Sequence, residues 1–413
     1  MLTNWAGNHT YAAGQVHAPA SVDELRALVA RLDRVRALGT RHSFTDLADS
    51  EGDLVSVAEL PREVEVDTDR GQVRVSGGLR YGDLAEDLAS RGWALATMAS
   101  LPHISVAGAV ATGTHGSGDR TGSLAAAVAG LELVDATGEL RTVRRGDADF
   151  AGHVVALGAL GVTTHVWLDV EPTYDVRQDL WTDLSWDVAA EQLDALTASA
   201  YSVSLFTDWA SGVVQQVWLK SRADEQPPAE LWGARPAAST LHMLAGADVA
   251  AVTRQGGVPG SWHHRLPHFR MDFTPSRGEE LQSEYLVPRT EALRAVERLR
   301  ELAPAFAPLL QTSEIRTIAA DDLWLSGAHG HDVVGFHFTW VRDVAGVYGV
   351  LPEIEAALLA LGGRPHWGKC FVAGSADLRP LYPRFEDFRA LVLRLDPAGK
   401  LRNRFIARTF DLA

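Results

Sequence analysis

Leu25, Leu28, Val29 and Leu32 recur at helical spacing behind Ser21 and Glu24, a pair placed as a capping box, so an amphipathic helix is predicted to open near Ser21. Residues 35–38 then read as a short buried strand that runs into the polar loop Gly39-Thr40-Arg41-His42-Ser43. The period changes to two at Val64 and Val66 and again at Val73 and Val75. The turn Asp67-Thr68-Asp69-Arg70-Gly71 lies between them, which predicts a hairpin with one buried face. A helix containing Leu84, Ala85 and Leu88 follows. Next come a second hairpin, with Leu131 and Leu133 against residues 140–143 around Ala136-Thr137-Gly138, and a strand over 162–170. Between about 175 and 370 the texture shifts to aromatic-rich strands, 202–209, 213–219 and 336–341, interleaved with helices. The chain closes on a helix with Phe385, Phe388, Val392 and Leu395 on one face, ended by Asp396-Pro397-Ala398-Gly399. The pattern is α+β and two-lobed, with a first lobe over 1–173, a second over 174–369, and a segment 370–413 returning to the first.

Length supports the division, since 413 residues exceed what one ordinary core encloses. Charge narrows the partners: 38 basic against 53 acidic residues give a net −15, which repels phosphate backbones and anionic membranes, so neither nucleic acid nor a membrane is expected. Cys370 is the single cysteine, which excludes an intramolecular disulfide and a thiolate metal cluster and fits a reducing compartment. The first residues lack the basic and apolar runs of a signal peptide, and no long apolar segment follows; the expectation is a cytoplasmic, untethered chain. No extended heptad pattern is visible, so a monomer is expected.

The segment from Ser100 to Gly118 is the most unusual chemically. Ser, Thr, Ala and Gly dominate Ser100-Leu101-Pro102-His103-Ile104-Ser105-Val106-Ala107-Gly108-Ala109-Val110-Ala111-Thr112-Gly113-Thr114-His115-Gly116-Ser117-Gly118. Such small side chains let a ligand lie on the backbone, where N–H groups and hydroxyls meet phosphate oxygens; a glycine-rich surface loop is the alternative. No dinucleotide fingerprint, P-loop or serine nucleophile elbow occurs in a fitting context. Further on, Glu314 and Arg316 share one face of a strand, as do His337 and Thr339, with Phe336, Phe338 and Trp340 opposite. A carboxylate acceptor and a guanidinium fork suit a chain of hydroxyls, although an ordinary cross-strand surface pair has the same pattern. Lys369 is either a cation at the lobe interface or a solvated surface lysine. His263, His264, His268, His329 and His331 are metal-ligand types without a carboxylate at a recognisable spacing, and no metal is expected.

Taken together, Gly39-Thr40-Arg41-His42-Ser43-Phe44 and the stretch 100–118 resemble the vanillyl-alcohol-oxidase (PCMH-type) flavoproteins. The similarity extends from Asn4-Trp5-Ala6-Gly7 to Asp396-Pro397-Ala398-Gly399-Lys400 and is closest to bacterial alditol (xylitol) oxidases. The resemblance implies an FAD-binding lobe of two α/β subdomains and a substrate lobe with a large mixed or antiparallel sheet flanked by helices. It implies FAD bonded to His42 through its 8α-methyl, with Ala37, Leu38, Gly39, Thr40, Arg41 and Ser43 at the pyrophosphate. Ser100, Ser105, Gly108, Thr112, Gly113, Thr114 and His115 are implied as further contacts, and Gly161 and Val162 close the adenine side. His103 is read instead as a hydrogen-bonded loop residue. One position departs from the pattern: close relatives often carry glycine before the histidine, where Arg41 stands here, facing either the pyrophosphate or solvent.

On the substrate side the resemblance gathers Ser100, Glu314, Arg316, His337, Thr339 and Lys369 beside the flavin. It implies oxidation of a small polyol to an aldose or aldehyde, with oxygen reduced to hydrogen peroxide. His337 and Arg316 would handle the hydroxyl proton and the developing alkoxide, Lys369 the charge on reduced flavin, and Ser100, Glu314 and Thr339 the substrate's orientation. Two rivals stand beside this expectation: a sugar-lactone oxidoreductase of the gulonolactone type, and a non-catalytic flavin- or carbohydrate-binding protein.

Overall fold

Capping begins where the sequence predicts it. In the computed structural model, which describes residues 1–273 and 279–412, Ser21 accepts from the Glu24 amide at 3.2 Å and starts the helix Val22–Arg31. The Glu24 carboxylate reaches back one residue further than expected, to the Ala20 amide at 2.9 Å. Leu25, Leu28 and Val29 are buried on the inner face. Beside this helix, Val35–Ala37 pairs in parallel with Asp53–Val55, which pairs in turn with Val16–His17.

Both predicted hairpins form, and one strand joins them. Val64–Asp67 with Gln72–Ser76, and Val128–Val134 with Leu140–Arg144, flank the central strand Val162–Asp169 in a five-stranded antiparallel sheet. Val75 and Leu131 both stand opposite Val166, so the apolar faces align across the sheet. The expected burial holds for Val73 and Val75, whereas Val64 and Val66, on the edge strand, are half-buried.

The larger sheet has nine strands among the described residues. Its centre runs Val213–Arg222, Ser202–Thr207, Leu310–Ile318, Val333–Val341 and Glu280–Pro288, every neighbouring pair antiparallel. The predicted strand over 202–209 stops at Thr207, because Trp209 turns the chain with φ 60°. One face is apolar: Leu281, Tyr285, Ile315, Phe336, Phe338 and Trp340 pack in one core against the helices Ala292–Phe306 and Val344–Leu359. Alternation therefore turns Gln282, Glu284, Glu314, Arg316, His337 and Thr339 the other way. That second face is buried too, apart from half-buried Gln282.

Two side chains fasten the C-terminal residues to the first sheet's neighbourhood. Asn403 Nδ2 donates to the carbonyls of Asp46, Leu47 and Asp49 at 2.8–3.2 Å. Buried Arg36 donates to the carbonyls of Leu47, Leu157, Gly158 and Leu401 at 2.7–2.9 Å. Phe385, Phe388, Leu391 and Val392 share a core with Val73, Leu84, Leu131 and Val166. Among the described residues no helix is long and apolar enough to cross a membrane.

Replacing Arg36 by Met leaves four inward carbonyls without their donor. The expected loss is at least about 2 kcal/mol of unfolding free energy, read as a lowered denaturant midpoint at unchanged slope.

Candidate functional site

One cavity of about 360 Å³ is bounded by both small-residue segments and by the polar face of the large sheet. The first segment is the loop 37–44. A Cβ at Gly39 would lie 2.9 Å from Ser105 Oγ and one at Gly108 2.8 Å from the same atom, so glycine at both positions lets the loop and the short helix Val106–Ala111 approach. The Ser105 amide donates to Thr40 Oγ1 at 3.3 Å, and Thr112 and Thr114 share a hydroxyl contact of 3.1 Å.

His42 sits in that loop with Nδ1 3.1 Å from Thr40 Oγ1 and its ring against Trp5, centroids 5.5 Å apart. Burial pushes its pKa down to about 4, and His103 and Arg41 add to the effect, so the imidazole is neutral at pH 7. Arg41 has φ 64°, a left-handed conformation open to glycine and uncommon for other residues. Its guanidinium donates to the Thr3 carbonyl at 3.2 Å, and its own carbonyl accepts from Trp5. Arg41 thus ties the loop to the N-terminal segment.

Glu284 organises the opposite wall. Antiparallel register sets Glu284 beside His337 and His337 beside Glu314 across three strands. Arg316 stands beside Gly335, and its Nη2 reaches Glu284 Oε1 at 2.7 Å. A Cβ on Gly335 would come within 3.2 Å of that oxygen, so the missing side chain keeps the crossing open. Lys369 Nζ donates to Glu284 Oε2 at 2.5 Å and lies 2.7 Å from His337 Nδ1, while His337 Nε2 is 3.2 Å from Thr339 Oγ1. Arg316 Nη1 donates to Ser100 Oγ at 3.2 Å.

Opposite charges face one another within this wall. Burial would raise the Glu284 pKa, but Lys369, Arg316 and His115 outweigh it and hold the carboxyl well below its usual range. Glu314 is likewise depressed, burial being overcome by Arg316 and His268. Burial lowers Lys369, opposed by Glu284 and reinforced by Arg316. His337 is pushed down to about 4 by burial and by Lys369, and is neutral at pH 7.

All but one of the residues assigned from the sequence to the cofactor and substrate sites line the cavity; Gly113 turns the chain at φ 66° outside the lining. Glu314, Arg316 and Lys369 are not surface residues, and the stretch 100–118 contains a short helix and is no solvated loop. His103 Nε2 pairs with the Met271 carbonyl, as a loop histidine would. Sequence reasoning missed Glu284, Gln282 and His366, although Gln282 and Glu284 repeat the period-two polar pattern of the two strands it did recognise. It also found no carboxylate for His263, His264 and His268. Distant segments supply them: Glu86 Oε2 lies 3.0 and 3.6 Å from the first two, and Glu314 Oε1 is 2.8 Å from His268. Cys370, next to Lys369, is buried with Sγ 3.9 Å from the Phe44 carbonyl, and burial raises its thiol pKa to about 11. The Phe44 amide in turn donates to the Gly368 carbonyl at 2.8 Å, joining the His42 loop to the Lys369 segment.

A cavity floored by backbone, rimmed by Thr40, Ser43, Ser105, Thr112 and Thr114, and lined by Gly39, Gly78, Gly108 and Gly161, fits a long diphosphate-linked cofactor. The FAD binding domain family matches residues 13–144, and the D-arabinono-1,4-lactone oxidase family matches residues 273–409. The site therefore belongs to an FAD-dependent oxidoreductase. The alditol oxidase of Streptomyces sp. (strain IKD472 / FERM P-14339) is 50% identical over 99% of this chain and 99% of its own. The L-gulono-1,4-lactone dehydrogenase of Mycobacterium tuberculosis (strain CDC 1551 / Oshkosh) is 30% identical over 99% and 98%. Cholesterol oxidase from B. sterolicum shares the fold, with a TM-score of 0.81 at 15% identity over 99% of this chain and 96% of that one. The chain belongs to the alditol oxidase group of the vanillyl-alcohol-oxidase flavoprotein family.

Two outcomes follow from this geometry. Gly335→Val is expected to keep the fold, because position 335 has no left-handed φ, while displacing the Arg316 to Glu284 pair and lowering kcat/KM at least about tenfold. His268 and His337 have folded pKa values of about 4 against the ordinary 6.5, so between those limits the unfolded chain binds protons that the folded one refuses. Their contribution is complete above pH 6.5 and is lost as the pH falls towards 4, by up to about 2.7 kcal/mol per pH unit for the two imidazoles. Denaturant midpoints measured from pH 7 to 4.5 check the slope.

Proposed function

We propose that this protein oxidises small polyols such as xylitol and sorbitol-like alditols at a terminal carbinol, R–CH2OH + O2 → R–CHO + H2O2, with FAD bonded covalently to His42. The observation that carries the reading is that one cavity holds both the His42 loop and a strand face of opposed carboxylate, guanidinium, imidazole and hydroxyl groups. The 50% identity to an alditol oxidase supports the substrate class. In this reading residues 1–173 with 370–413 bind FAD and residues 174–369 bind substrate, in a cytoplasmic protein whose single free thiol suits a reducing compartment.

The cofactor would be held by residues 37–43, by Ser100, Ser105, Gly108, Thr112, Thr114 and His115, and by Gly161 and Val162, with Gly113 shaping the turn between them. The chemistry supplied by bound FAD is acceptance of the carbinol hydride and delivery of the electron pair to oxygen. Neutral His42 is the nucleophilic form needed for attachment.

Proton handling falls to His337 and Lys369. In the reactive form Lys369 is an amine whose lone pair accepts His337 Nδ1–H, which leaves Nε2, 3.2 Å from Thr339 Oγ1, as the basic atom. The substrate hydroxyl proton moves to Nε2, and the Nδ1 proton passes to Lys369, which becomes an ammonium beside Glu284. Arg316 favours alkoxide character at the substrate oxygen. The new Lys369 cation offsets the negative charge that the accepted electrons bring. Ser100, Glu314 and Thr339 orient the hydroxyls along the chain.

A sugar-lactone oxidoreductase is the second reading, favoured by the match over residues 273–409. Anaerobic mixing separates the two: xylitol is expected to bleach the flavin and L-gulonolactone to leave it oxidised, and the reverse overturns the polyol assignment. Acid-denatured protein should be yellow and heavier than the bare chain by the mass of FAD, and His42→Ala should lose the adduct. His337→Ala and Lys369→Ala are each expected to slow flavin reduction by roughly 10²–10³ with FAD still attached. Stopped-flow absorbance measures both rates.

A further inference from the structure

Behind the polar wall lies a second line of buried groups with no part in the steps above. Lys220, on the strand Val213–Arg222, is 1% exposed. Its Nζ donates to the carbonyls of Leu266 and Pro267 and lies 2.9 Å from His268 Nδ1. An ammonium has three N–H donors and no lone pair, so His268 Nδ1 is an acceptor and the ring proton sits on Nε2. That Nε2–H points at Glu314 Oε1, 2.8 Å away. The rings of Phe206 and Trp218, with centroids 5.7 and 5.1 Å from that of His268, fix its plane. The same segment braces Ser100, whose carbonyl accepts from the His268 and Phe269 amides at 3.1 Å.

We propose that Lys220 and His268 are positioning residues for polyol binding: the Lys220 ammonium selects the Nε2–H tautomer of His268, which ties down Glu314 Oε1 and leaves Oε2 to accept from a substrate hydroxyl. The proposal rests on Glu314 serving the polyol as described above. Through the 266–269 segment one buried cation thereby sets two substrate contacts, Glu314 by its side chain and Ser100 by its backbone.

The arrangement carries a built-in pH dependence. The groups facing Lys220 are His268, Glu314 and Arg316, while its cross-strand neighbours Gln178 and Ser202 are uncharged. Burial lowers the Lys220 pKa to about 7, against the pull of Glu314 and with the push of Arg316. Once Lys220 is an amine, its lone pair can accept from His268 Nδ1–H, so the Nε2–H tautomer is no longer imposed. The hold on Glu314 weakens, so KM for the polyol rises with pH while kcat changes little.

The first test uses the native holoenzyme with ¹⁵N-labelled histidine, the His268 signal being assigned by its absence in His268→Gln. At pH 6 the Nε2–H tautomer is expected; an Nδ1–H tautomer or an imidazolium overturns the proposal, and this measurement needs no Lys220 variant to fold. The second compares Lys220→Met with the native enzyme. KM for xylitol is expected to rise about tenfold with kcat within about threefold, and to stop varying between about pH 6 and 8.5. An unchanged KM, or a fall in kcat alone, counts against the positioning role. If no polyol is oxidised by the native enzyme, the polyol reading fails while the tautomer measurement still decides the Lys220 to His268 link.

Discussion

A carboxylate removed from water is costly unless cations and donors meet it, and Glu284 is fully buried. Lys369 holds one oxygen and Arg316 the other, so two of the site's cations are placed by a single anion. Glu314 supplies the second negative charge, and Lys220 a further positive one from behind. With Lys369 as an amine, Glu284 and Glu314 balance Arg316 and Lys220. With Lys369 as an ammonium, one positive charge is left over, the sign wanted beside an electron acceptor that has just been reduced. Neutral His337 and His268 stand between these charges without adding to them.

Precision in this wall comes from sheet register and not from loops. Glu284, His337 and Glu314 stand side by side because three antiparallel strands are in fixed alignment, anchored from the other face by Phe336, Phe338 and Trp340 packed against two helices. Sites borne on strands are held more rigidly than sites on loops. The cofactor side is built differently: the His42 loop is braced by Trp5, by the Arg41 tie to Thr3, and by the Phe44 link to Gly368.

The sequence made the polar faces legible wherever a strand alternated cleanly. Glu314 with Arg316 and His337 with Thr339 could be paired because two-residue periodicity is a local property. Glu284 was lost because Ser283 and Leu286 blur the alternation around it and its partners lie on other strands, a matter of long-range register. Lys220 directly follows the predicted strand 213–219 and has no sequence sign of burial until the 266–268 segment folds over it. His268 was grouped with His263 and His264 by residue type, yet its partner Glu314 belongs to another strand. The left-handed φ of Arg41 was hidden for the opposite reason, since its residue type points away from the conformation it adopts. The fold class and the hairpins needed no such long-range knowledge, being carried by capping and periodicity.

Cys370 has one more consequence. Peroxides attack thiolates, and a thiol with a pKa of about 11 is ionised to roughly one part in ten thousand at pH 7. This one is also sealed beneath the Phe44 carbonyl, one residue from the lysine beside which the oxidant would be made. In the proposed oxidase reaction the hydrogen peroxide released would meet a single thiol that burial keeps protonated and out of reach.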